Sequence, residues 1–345
     1  MSTPYPLTNI ALIGATGNLG PHILHALHTH PSPFQLTILT RSSTTTTTSS
    51  SSSSKNNTPL PYAPTPFPPS IKIIHSPSAD HYTSQFLEEV LKGIDAVVLT
   101  LAAAALGEQQ KGIIDACVKA GVRRVVLSEW GSDTTNPLAV RGVALFDAKA
   151  EAVEYAKKVV AEQPEGEGGR LSWSAVVTGP FYDWCLKLGF CGIDVKNKKV
   201  TLYDEGKGEF TATTLTQIGR SVASLLTQPN NTKFANTYTY ISSFTITQAG
   251  IFAAVKAATG TETTDWTVEN KSIEARMQEG REKAARGDIH GTYDLIFGST
   301  FGGSKYGSDY GNRREISNKE LGLEEEHLES VTREVLEGKR PLVEW

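Results

Sequence analysis

Short apolar runs alternate with segments of helical periodicity along the first half of the chain. Buried strands are predicted where several apolar residues follow one another, and amphipathic helices where apolar residues recur every three or four positions. Six strands are predicted in this half, at residues 10–13, 34–40, 71–75, 95–101, 123–128 and 171–178. Since helical segments separate most of them, the pattern predicts a Rossmann-type α/β fold with a doubly wound parallel sheet and right-handed crossovers.

The first strand runs directly into a turn that contains three glycines spaced by three residues. Glycines at a strand-to-helix turn let a phosphate approach the backbone, and the following helix directs free N–H groups and the positive end of its dipole to the same place. A glycine-rich turn without a ligand is the alternative interpretation. We predict a dinucleotide pyrophosphate site formed by Gly14, Thr16, Gly17, Asn18, Leu19 and Gly20.

Arg41 stands at the end of the second strand, about 20 positions after the glycine turn. At this place an acidic residue binds the ribose hydroxyls of NAD, whereas an arginine accommodates the 2′-phosphate of NADP. Arg41 therefore predicts NADP(H) as the cofactor, with a solvated strand-end arginine as the alternative. Ligands of such sheets lie beyond the carboxyl ends of the strands, so Ala102 and residues 128–131 are expected at the same crevice.

Two parts of the chain depart from this alternation. Residues 42–54 are all serine or threonine and residues 55–70 contain six prolines, so 42–70 is predicted to be a low-complexity insertion. It is expected to be a surface loop, with a phosphorylated or partner-binding segment as the alternative. Beyond residue 190 the predicted strands are shorter, at 199–203, 209–213 and 237–241, and helices are predicted at 215–227, 247–258, 277–286 and 324–337.

The domain organisation follows from this change of pattern. Residues 1–180, with about 211–245, are expected to form the NADP-binding domain, because the strand at 237–241 is expected to return to the main sheet. Residues 181–210 and 246–345 are expected to form a smaller α+β substrate-binding subdomain. Aromatics alternate with glycines between residues 297 and 311, which predicts a mobile aromatic loop near the substrate or, alternatively, a packed surface loop.

Composition and charge narrow the class of protein. A chain of 345 residues with 39% hydrophobic residues can build one large core or two unequal domains. A net charge of −4 leaves no basic surplus for nucleic acid. The first residues show no signal-peptide pattern, the longest apolar run (96–106) is too short for a bilayer, and the three cysteines lack zinc-type spacing. We therefore expect a cytoplasmic protein without nucleic acid, membrane or metal partners; a homodimer stays open.

The helix predicted over residues 143–162 carries a lysine on its apolar face. At about 100° per residue, apolar side chains gather within about 80° of Leu145, and Lys149 falls inside this stripe at about 40°. A lysine that faces inward costs desolvation free energy unless a partner compensates it. A cofactor ribose or a substrate oxygen would do so; the alternative is an ammonium group that reaches solvent while its stem packs on the stripe.

The sixth strand ends in an aromatic-rich loop at residues 179–184. Such a loop at a carboxyl strand end suits contact with an aromatic ring, and we expect Phe181 to contact the nicotinamide. Other aromatic side chains suggest an aromatic or apolar substrate, although aromatics also fill protein cores. These substrate candidates are Trp130, Phe146, Tyr182 and Trp184.

Several of these motifs occur together in one known group of proteins. Gly-Ala-Thr-Gly-Asn-Leu-Gly at 14–20, Thr-Arg at 40–41, Ser-Glu-Trp-Gly at 128–131, Lys149 and Gly-Pro-Phe at 179–181 stand in family order. The chain resembles the isoflavone reductase-like and NmrA-like atypical short-chain dehydrogenases, especially fungal CipA-like oxidoreductases. The resemblance excludes 42–70 and thins after about residue 250. Trp130 stands where phenylalanine is common in the family, so the chain departs from the family pattern at this position.

The resemblance implies an NADPH-dependent reductase of a small substrate, with Lys149 as general acid/base and cofactor contact. The expected reducible group is a carbonyl, an enone or a quinone-methide-like carbon. Some NmrA-like proteins are non-catalytic sensors, so a dinucleotide-sensing regulator is the second hypothesis. A redox-neutral isomerase that retains NADP is the third, although the helix after the fifth strand lacks the Tyr-x-x-x-Lys of ordinary short-chain dehydrogenases and epimerases.

Overall fold

The structure is a computed structural model that describes residues 6–41, 67–78, 80–141, 143–163, 170–228, 233–341, 343 and 345. The insertion predicted for 42–70 lies outside the described residues up to residue 66. Within the described part, no helix combines the length and the apolar character needed to cross a membrane.

Strands and helices alternate along the described chain. The strands are β1 (Asn9–Ile13), β2 (Gln35–Arg41), β3 (Lys72–Ser76), β4 (Ala96–Leu99), β5 (Arg124–Val126), β6 (Ser172–Val177), β7 (Ile193–Asp194), β8 (Lys199–Tyr203), β9 (Glu209–Ala212), β10 (Thr237–Tyr240), β11 (Phe244–Thr247) and β12 (Thr267–Lys271). The α-helices are α1 (Gly20–Thr29), α2 (Ser84–Val90), α3 (Glu108–Ala120), α4 (Pro137–Val140), α5 (Ala144–Glu162), α6 (Tyr182–Lys187), α7 (Leu215–Thr227), α8 (Gln248–Thr259), α9 (Ile273–Ala285), α10 (Ile289–Phe301) and α11 (Leu328–Leu336).

Seven strands form one parallel sheet in the order β10-β6-β5-β4-β1-β2-β3. At its centre, Ile10 of β1 is in register with Leu36 of β2 on one side and with Ala96 of β4 on the other. The strand order moves outward from β1 in both directions, as in doubly wound sheets. The predicted Rossmann-type α/β fold is therefore confirmed, and the strand predicted at 237–241 does join this sheet, beside β6.

The apolar residues of β1 serve two cores, because successive side chains of a strand point to opposite faces of a sheet. Ile10 and Leu12 pack in the cluster with α1 and α7, where Leu24 and Ile218 lie. Ala11 and Ile13 pack in the cluster on the other face, with residues of α2, α3 and α5. Strands covered on both faces read as continuous apolar runs.

The second half of the chain builds a third apolar cluster, from α6, β7–β9, β11 and α8–α11. It contains a three-stranded sheet, β12-β8-β7, and the antiparallel pair β11-β9. The domain boundaries given above remain a prediction. The last helix begins at Leu328 rather than at the predicted residue 324.

The glycine-aromatic stretch at 297–311 is not the mobile loop that its composition predicted. Phe297 and Phe301 are buried in the last turns of α10. A Cβ at Gly298 would lie 2.5 Å from Sδ of Met277 on α9, so this glycine lets the two helices approach closely. Short 3₁₀ turns follow, and Tyr310 within them is buried.

Candidate active site

The glycine turn joins β1 to α1 at the carboxyl edge of the sheet. Gly14 has a φ of +98°, and a Cβ there would lie 2.2 Å from the carbonyl oxygen of Thr100, at the end of β4. A Cβ at Gly20 would lie 2.3 Å from the carbonyl oxygen of Gly14. The fold itself therefore requires glycine at these two positions, whatever binds nearby.

Gly17 differs from its two neighbours. Its nearest contact for an added Cβ is the Gly14 carbonyl oxygen at 3.5 Å, an ordinary van der Waals distance, and its φ is not in the left-handed region. Packing within the described protein therefore leaves room for a side chain at this position. α1 begins three residues later, at Gly20, without a side-chain cap and without an acidic residue in its first turn. The turn thus offers an open surface for an anion at the positive end of the α1 dipole, although Pro21 in the first turn has no N–H and the N–H groups of His22 and Ile23 donate to the Leu19 carbonyl oxygen.

Arg41 and Ala102 also lie at this edge of the sheet. Arg41 is the last residue of β2 and is exposed. Burial raises the pKa of the nearby Tyr82 phenol to about 12, and the positive charge of Arg41 acts to lower that pKa. Ala102 is exposed just beyond β4. Arg41 thus lies at the end of its strand and Ala102 just beyond the end of β4, where the dinucleotide was expected; their contact with it remains a prediction.

The loop after β5 is fixed by three hydrogen bonds, one each to the loop after β4, to α3 and to the last residue of β4. The Leu101 N–H donates to Oγ of Ser128 over 3.0 Å, and the Ser128 N–H donates to Oε1 of the buried Gln110 over 2.8 Å. The indole Nε1 of Trp130 donates to the carbonyl oxygen of Leu99 over 2.7 Å. These contacts hold residues 128–131 in place beside the carboxyl end of β4.

Lys149 of α5 points inward, as the helical periodicity predicted, and only 7% of it is exposed. Its Nζ donates to the backbone carbonyl oxygens of Glu129 over 2.8 Å and of Trp130 over 2.7 Å. Nζ also lies 5.8 Å from the centre of the Phe146 ring. Burial lowers the pKa of Lys149 from its ordinary value, and the charge of Glu129 opposes this shift. The ammonium is therefore held in a fixed place by α5 and the loop after β5.

Glu129 is a buried acid. It was included above only in the Ser-Glu-Trp-Gly motif at 128–131 and was given no role of its own. It is 1% exposed, and its Oε1 accepts a short hydrogen bond from the hydroxyl of Thr134. Burial raises its pKa to about 7, while Lys149 and Thr134 act to lower it. In the sequence, Glu129 follows the apolar run at 125–127 and stands between Ser128 and Trp130, and this local pattern does not indicate its burial.

A cavity of about 140 Å³ lies between the end of β6, α5, α6 and α10. Its lining residues include the polar Ser132, Lys149 and Thr300, and the wall itself is almost wholly apolar. Its ring-bearing lining residues are Trp130, Phe146, Phe181, Trp184, Tyr293 and Phe297. The structure thus brings Lys149, Phe181 and three of the four predicted substrate residues to one cavity, and adds two aromatics of α10 that sequence reasoning did not name as substrate contacts.

Tyr182 is the predicted substrate residue that the structure places elsewhere. Its side chain is 1% exposed, its hydroxyl forms a hydrogen bond with the hydroxyl of Thr332 on α11, and its ring lies 5.1 Å from that of Phe244. Tyr182 faces the core of the second half of the chain and joins α6 to α11. Its neighbour Trp184, on the opposite side of α6, lines the cavity instead.

The loop at 179–181 is shaped by a close backbone approach. Gly179 has a φ of +62°, and a Cβ there would lie 1.9 Å from the carbonyl oxygen of Thr211. Phe181 forms an isolated bridge with Thr213, which fixes its backbone. The loop therefore holds the Phe181 ring at the cavity.

Known proteins share both the sequence and the fold. The model of the NmrA-like family matches residues 7–164. Oxidoreductase aprR of Aspergillus flavus is 32% identical over 330 residues, which cover 95% of this chain and 99% of that protein. The chain belongs to the NmrA-like family. This finding confirms the resemblance on which the sequence-based expectations of function were built.

Solved structures similar to this NmrA-like chain include two reductases. Isoflavone reductase superposes with a TM-score of 0.69 at 17% identity, over 96% of this chain and 99% of that one. Leucoanthocyanidin reductase of Vitis vinifera, in its binary complex with NADPH, superposes with a TM-score of 0.67 at 13% identity, over 95% of this chain and 99% of that one. At these identities the likeness establishes the fold.

Proposed function

We propose that this NmrA-like protein is an NADPH-dependent oxidoreductase that reduces a small aromatic or apolar substrate. The observation that carries the proposal is the placement of Lys149, a buried ammonium in the wall of an aromatic cavity. That cavity lies at the same sheet edge as the glycine turn. The name of the 32% identical relative, an oxidoreductase, supports this class of activity.

The residues at the glycine turn fit a dinucleotide. Gly17 leaves an open surface where a Cβ would fit the fold but would obstruct a ligand, and the uncapped start of α1 suits the pyrophosphate. Arg41 is proposed to bind the 2′-phosphate and Phe181 to contact the nicotinamide. The NADPH complex of a protein with this fold supports NADP(H) as the cofactor. When bound, NADPH supplies the hydride for the substrate carbon.

Lys149 is proposed as the general acid. An ammonium group has three donors, and the structure shows carbonyl partners for two of them, on Glu129 and Trp130. The third N–H can donate to a substrate oxygen in the cavity and give up its proton as negative charge develops there. A positioned acid of this kind typically contributes about 10²–10⁴ in rate.

The cavity limits the class of substrate. A volume of about 140 Å³ is close to the roughly 150 Å³ that holds one benzene molecule in an apolar protein cavity. Aromatic walls from α6 and α10 favour a flat ring over a polar chain. We therefore propose an aromatic carbonyl, an aromatic enone or a quinone-methide-like compound as the substrate.

The proposal is tested by NADPH consumption with a panel of aromatic aldehydes and enones, beside aliphatic analogues of the same functional groups. Turnover with at least one aromatic member, and less with its aliphatic analogue, is expected. NADPH binding by calorimetry without turnover on any member would contradict the reductase proposal and favour a dinucleotide-sensing regulator.

A further inference from the structure

Phe190 lies in the turn that ends α6. The N–H of Gly189 donates to the carbonyl oxygen of Leu186 over 3.1 Å, and the N–H of Phe190 donates to that of Cys185 over 2.9 Å. Gly189 has a φ of +75°, in the left-handed region. These two bonds form a Schellman motif, in which the residue after the glycine commonly packs back against the helix. The backbone therefore fixes the place from which the Phe190 side chain extends.

The Phe190 ring contacts three other aromatic rings. Its centre lies 5.1 Å from the ring centre of Trp184 on α6, and the two planes meet at 26°. Towards α10, its centre lies 4.9 Å from that of Phe297, at 12° between the planes, and 5.3 Å from that of Tyr293, at 36°. Tyr293 and Phe297 are one helical turn apart and so share a face of α10. Phe190 thus joins rings from two different helices.

These three partners line the proposed substrate cavity, whereas Phe190 is not among the lining residues in the described part of the chain. The contact with Trp184 has a structural explanation, because a Schellman motif often places the residue after the glycine on the last turn of its helix. Helix termination does not account for the contacts with Tyr293 and Phe297 on α10. Phe190 therefore connects the α6 and α10 walls of the cavity from outside it.

We propose that Phe190 is a positioning residue of the substrate cavity. Its ring sets the planes of Trp184, Tyr293 and Phe297, so that the cavity selects a flat aromatic ring over an aliphatic group of similar size. The inference deepens the proposed function, and it rests on that function for the role of the cavity as the substrate site.

The orientation of each wall ring depends on its neighbours. Aromatic rings at centre distances of about 4.5–7 Å prefer particular relative orientations, because each ring has a negative face and a positive edge. A ring that contacts three others therefore limits the rotation of all three. The cavity of about 140 Å³ has room for about one benzene ring, so a small rotation of a wall ring changes which molecules fit. Without the Phe190 ring, the walls would rotate more freely and would admit thicker, aliphatic groups.

Replacement of Phe190 by leucine tests this role, because leucine is apolar but has no flat ring. Benzaldehyde and cyclohexanecarbaldehyde carry the same functional group on an aromatic and on an aliphatic six-membered ring. NMR titration in the presence of NADP⁺, which has no hydride to transfer, gives a Kd for each. Wild type should bind benzaldehyde more tightly. In Phe190→Leu the Kd for benzaldehyde should rise about two- to tenfold, as for the loss of about one aromatic pair, while that for cyclohexanecarbaldehyde stays or falls.

Phe244→Leu is the matched control. Phe244 belongs to the same apolar cluster, and its ring lies 5.1 Å from that of Tyr182; neither residue is among the described lining residues of the cavity. Phe244→Leu should lose stability to urea but keep the wild-type ratio of the two Kd values. Phe190→Tyr, which retains the flat ring, should keep that ratio as well. An unchanged ratio in Phe190→Leu, an equal change in Phe244→Leu, or a wild type that does not prefer benzaldehyde would overturn the proposal.

Kinetics separate this inference from the proposed function. On an aromatic substrate that wild type reduces, Phe190→Leu should raise KM while kcat changes less, because Lys149 and the carbonyl oxygens that hold it lie on α5 and the loop after β5. A fall in kcat at unchanged KM would contradict a positioning role. If wild type reduces no substrate, the proposed function fails, whereas the ratio of the two Kd values still tests Phe190. If Phe190→Leu does not fold, Phe190→Met decides by the same ratio.

Discussion

Alanine substitutions at Gly17 and Gly20 distinguish a glycine that ligand binding requires from a glycine that the fold requires. An alanine Cβ at Gly17 would meet nothing closer than the Gly14 carbonyl oxygen at 3.5 Å, and its φ needs no glycine. The free energy of unfolding should therefore stay within about 1 kcal/mol of wild type. At Gly20 the same Cβ would lie 2.3 Å from that oxygen, so Gly20→Ala should destabilise the fold by about 1–3 kcal/mol.

The expected loss on NADPH binding follows from the position of Gly17 in the turn between β1 and α1. A methyl group there would displace the pyrophosphate from at least one backbone N–H, and a hydrogen bond to a charged group is worth about 1.5–3 kcal/mol. At about 1.4 kcal/mol per decade, Gly17→Ala should raise the Kd for NADPH roughly tenfold to a hundredfold.

Two measurements on each variant check this reasoning. Urea unfolding of the ligand-free protein gives the stability, and calorimetric titration with NADPH gives the Kd. Gly17→Ala should lose affinity while keeping stability, and Gly20→Ala should lose stability. A Gly17→Ala variant that binds NADPH as tightly as wild type would refute the assignment of the pyrophosphate to this turn.

Three further predictions concern the cofactor, stability and the aromatic residues. Arg41→Ala should remove a preference for NADPH over NADH of about tenfold to a hundredfold in kcat/KM; an unchanged ratio would contradict the 2′-phosphate contact. Burial raises the pKa of Asp183 from 3.8 to about 7, so the folded state keeps a proton that the unfolded state loses, and wild-type stability should fall as pH rises between these values. Urea unfolding of Asp183→Asn should show a weaker decline over that range. Tyr182→Phe should lower the free energy of unfolding by about 0.5–1.5 kcal/mol, because it removes the hydrogen bond to Thr332, and should leave the substrate KM unchanged. A raised KM would indicate that Tyr182 contacts the substrate after all.

The parallel sheet was predictable because its strands are covered on both faces. The run at Ile10–Ile13 has to be apolar at every position, since alternate residues enter two different cores. β12 could not be found in the same way. All five of its residues, Thr267–Lys271, are exposed, and it is held by backbone pairing with β8. A polar strand without an apolar face has no periodic signal.

The orientation of Lys149 was predictable from helical periodicity, but its partners were not. Both carbonyl acceptors come from a loop about 20 residues earlier in the chain, and backbone groups carry no sequence signal. The burial of Glu129 depends on the same tertiary contact. Sequence alone therefore indicated an inward lysine, and the structure shows the carbonyl groups that hold its ammonium.

The aromatic residues show where local sequence is ambiguous. Tyr182 and Trp184 both belong to a short aromatic loop in the sequence, and both were predicted to contact the substrate. They lie two positions apart on α6, about 200° around a helix, so one faces the core and the other the cavity. The glycines near Phe297 suggested a loop. In the structure Gly298 lies within a helix, and its missing side chain leaves the space that Met277 of α9 occupies.

The central claim is that Lys149 donates the proton in an NADPH-dependent reduction. The most direct measurement compares Lys149→Met with wild type at saturating NADPH, on whichever aromatic substrate the wild type reduces. A fall in kcat of about 10²–10⁴, with the Kd for NADPH changed only severalfold, is predicted. A Lys149→Met variant that turns over at the wild-type rate would contradict the account.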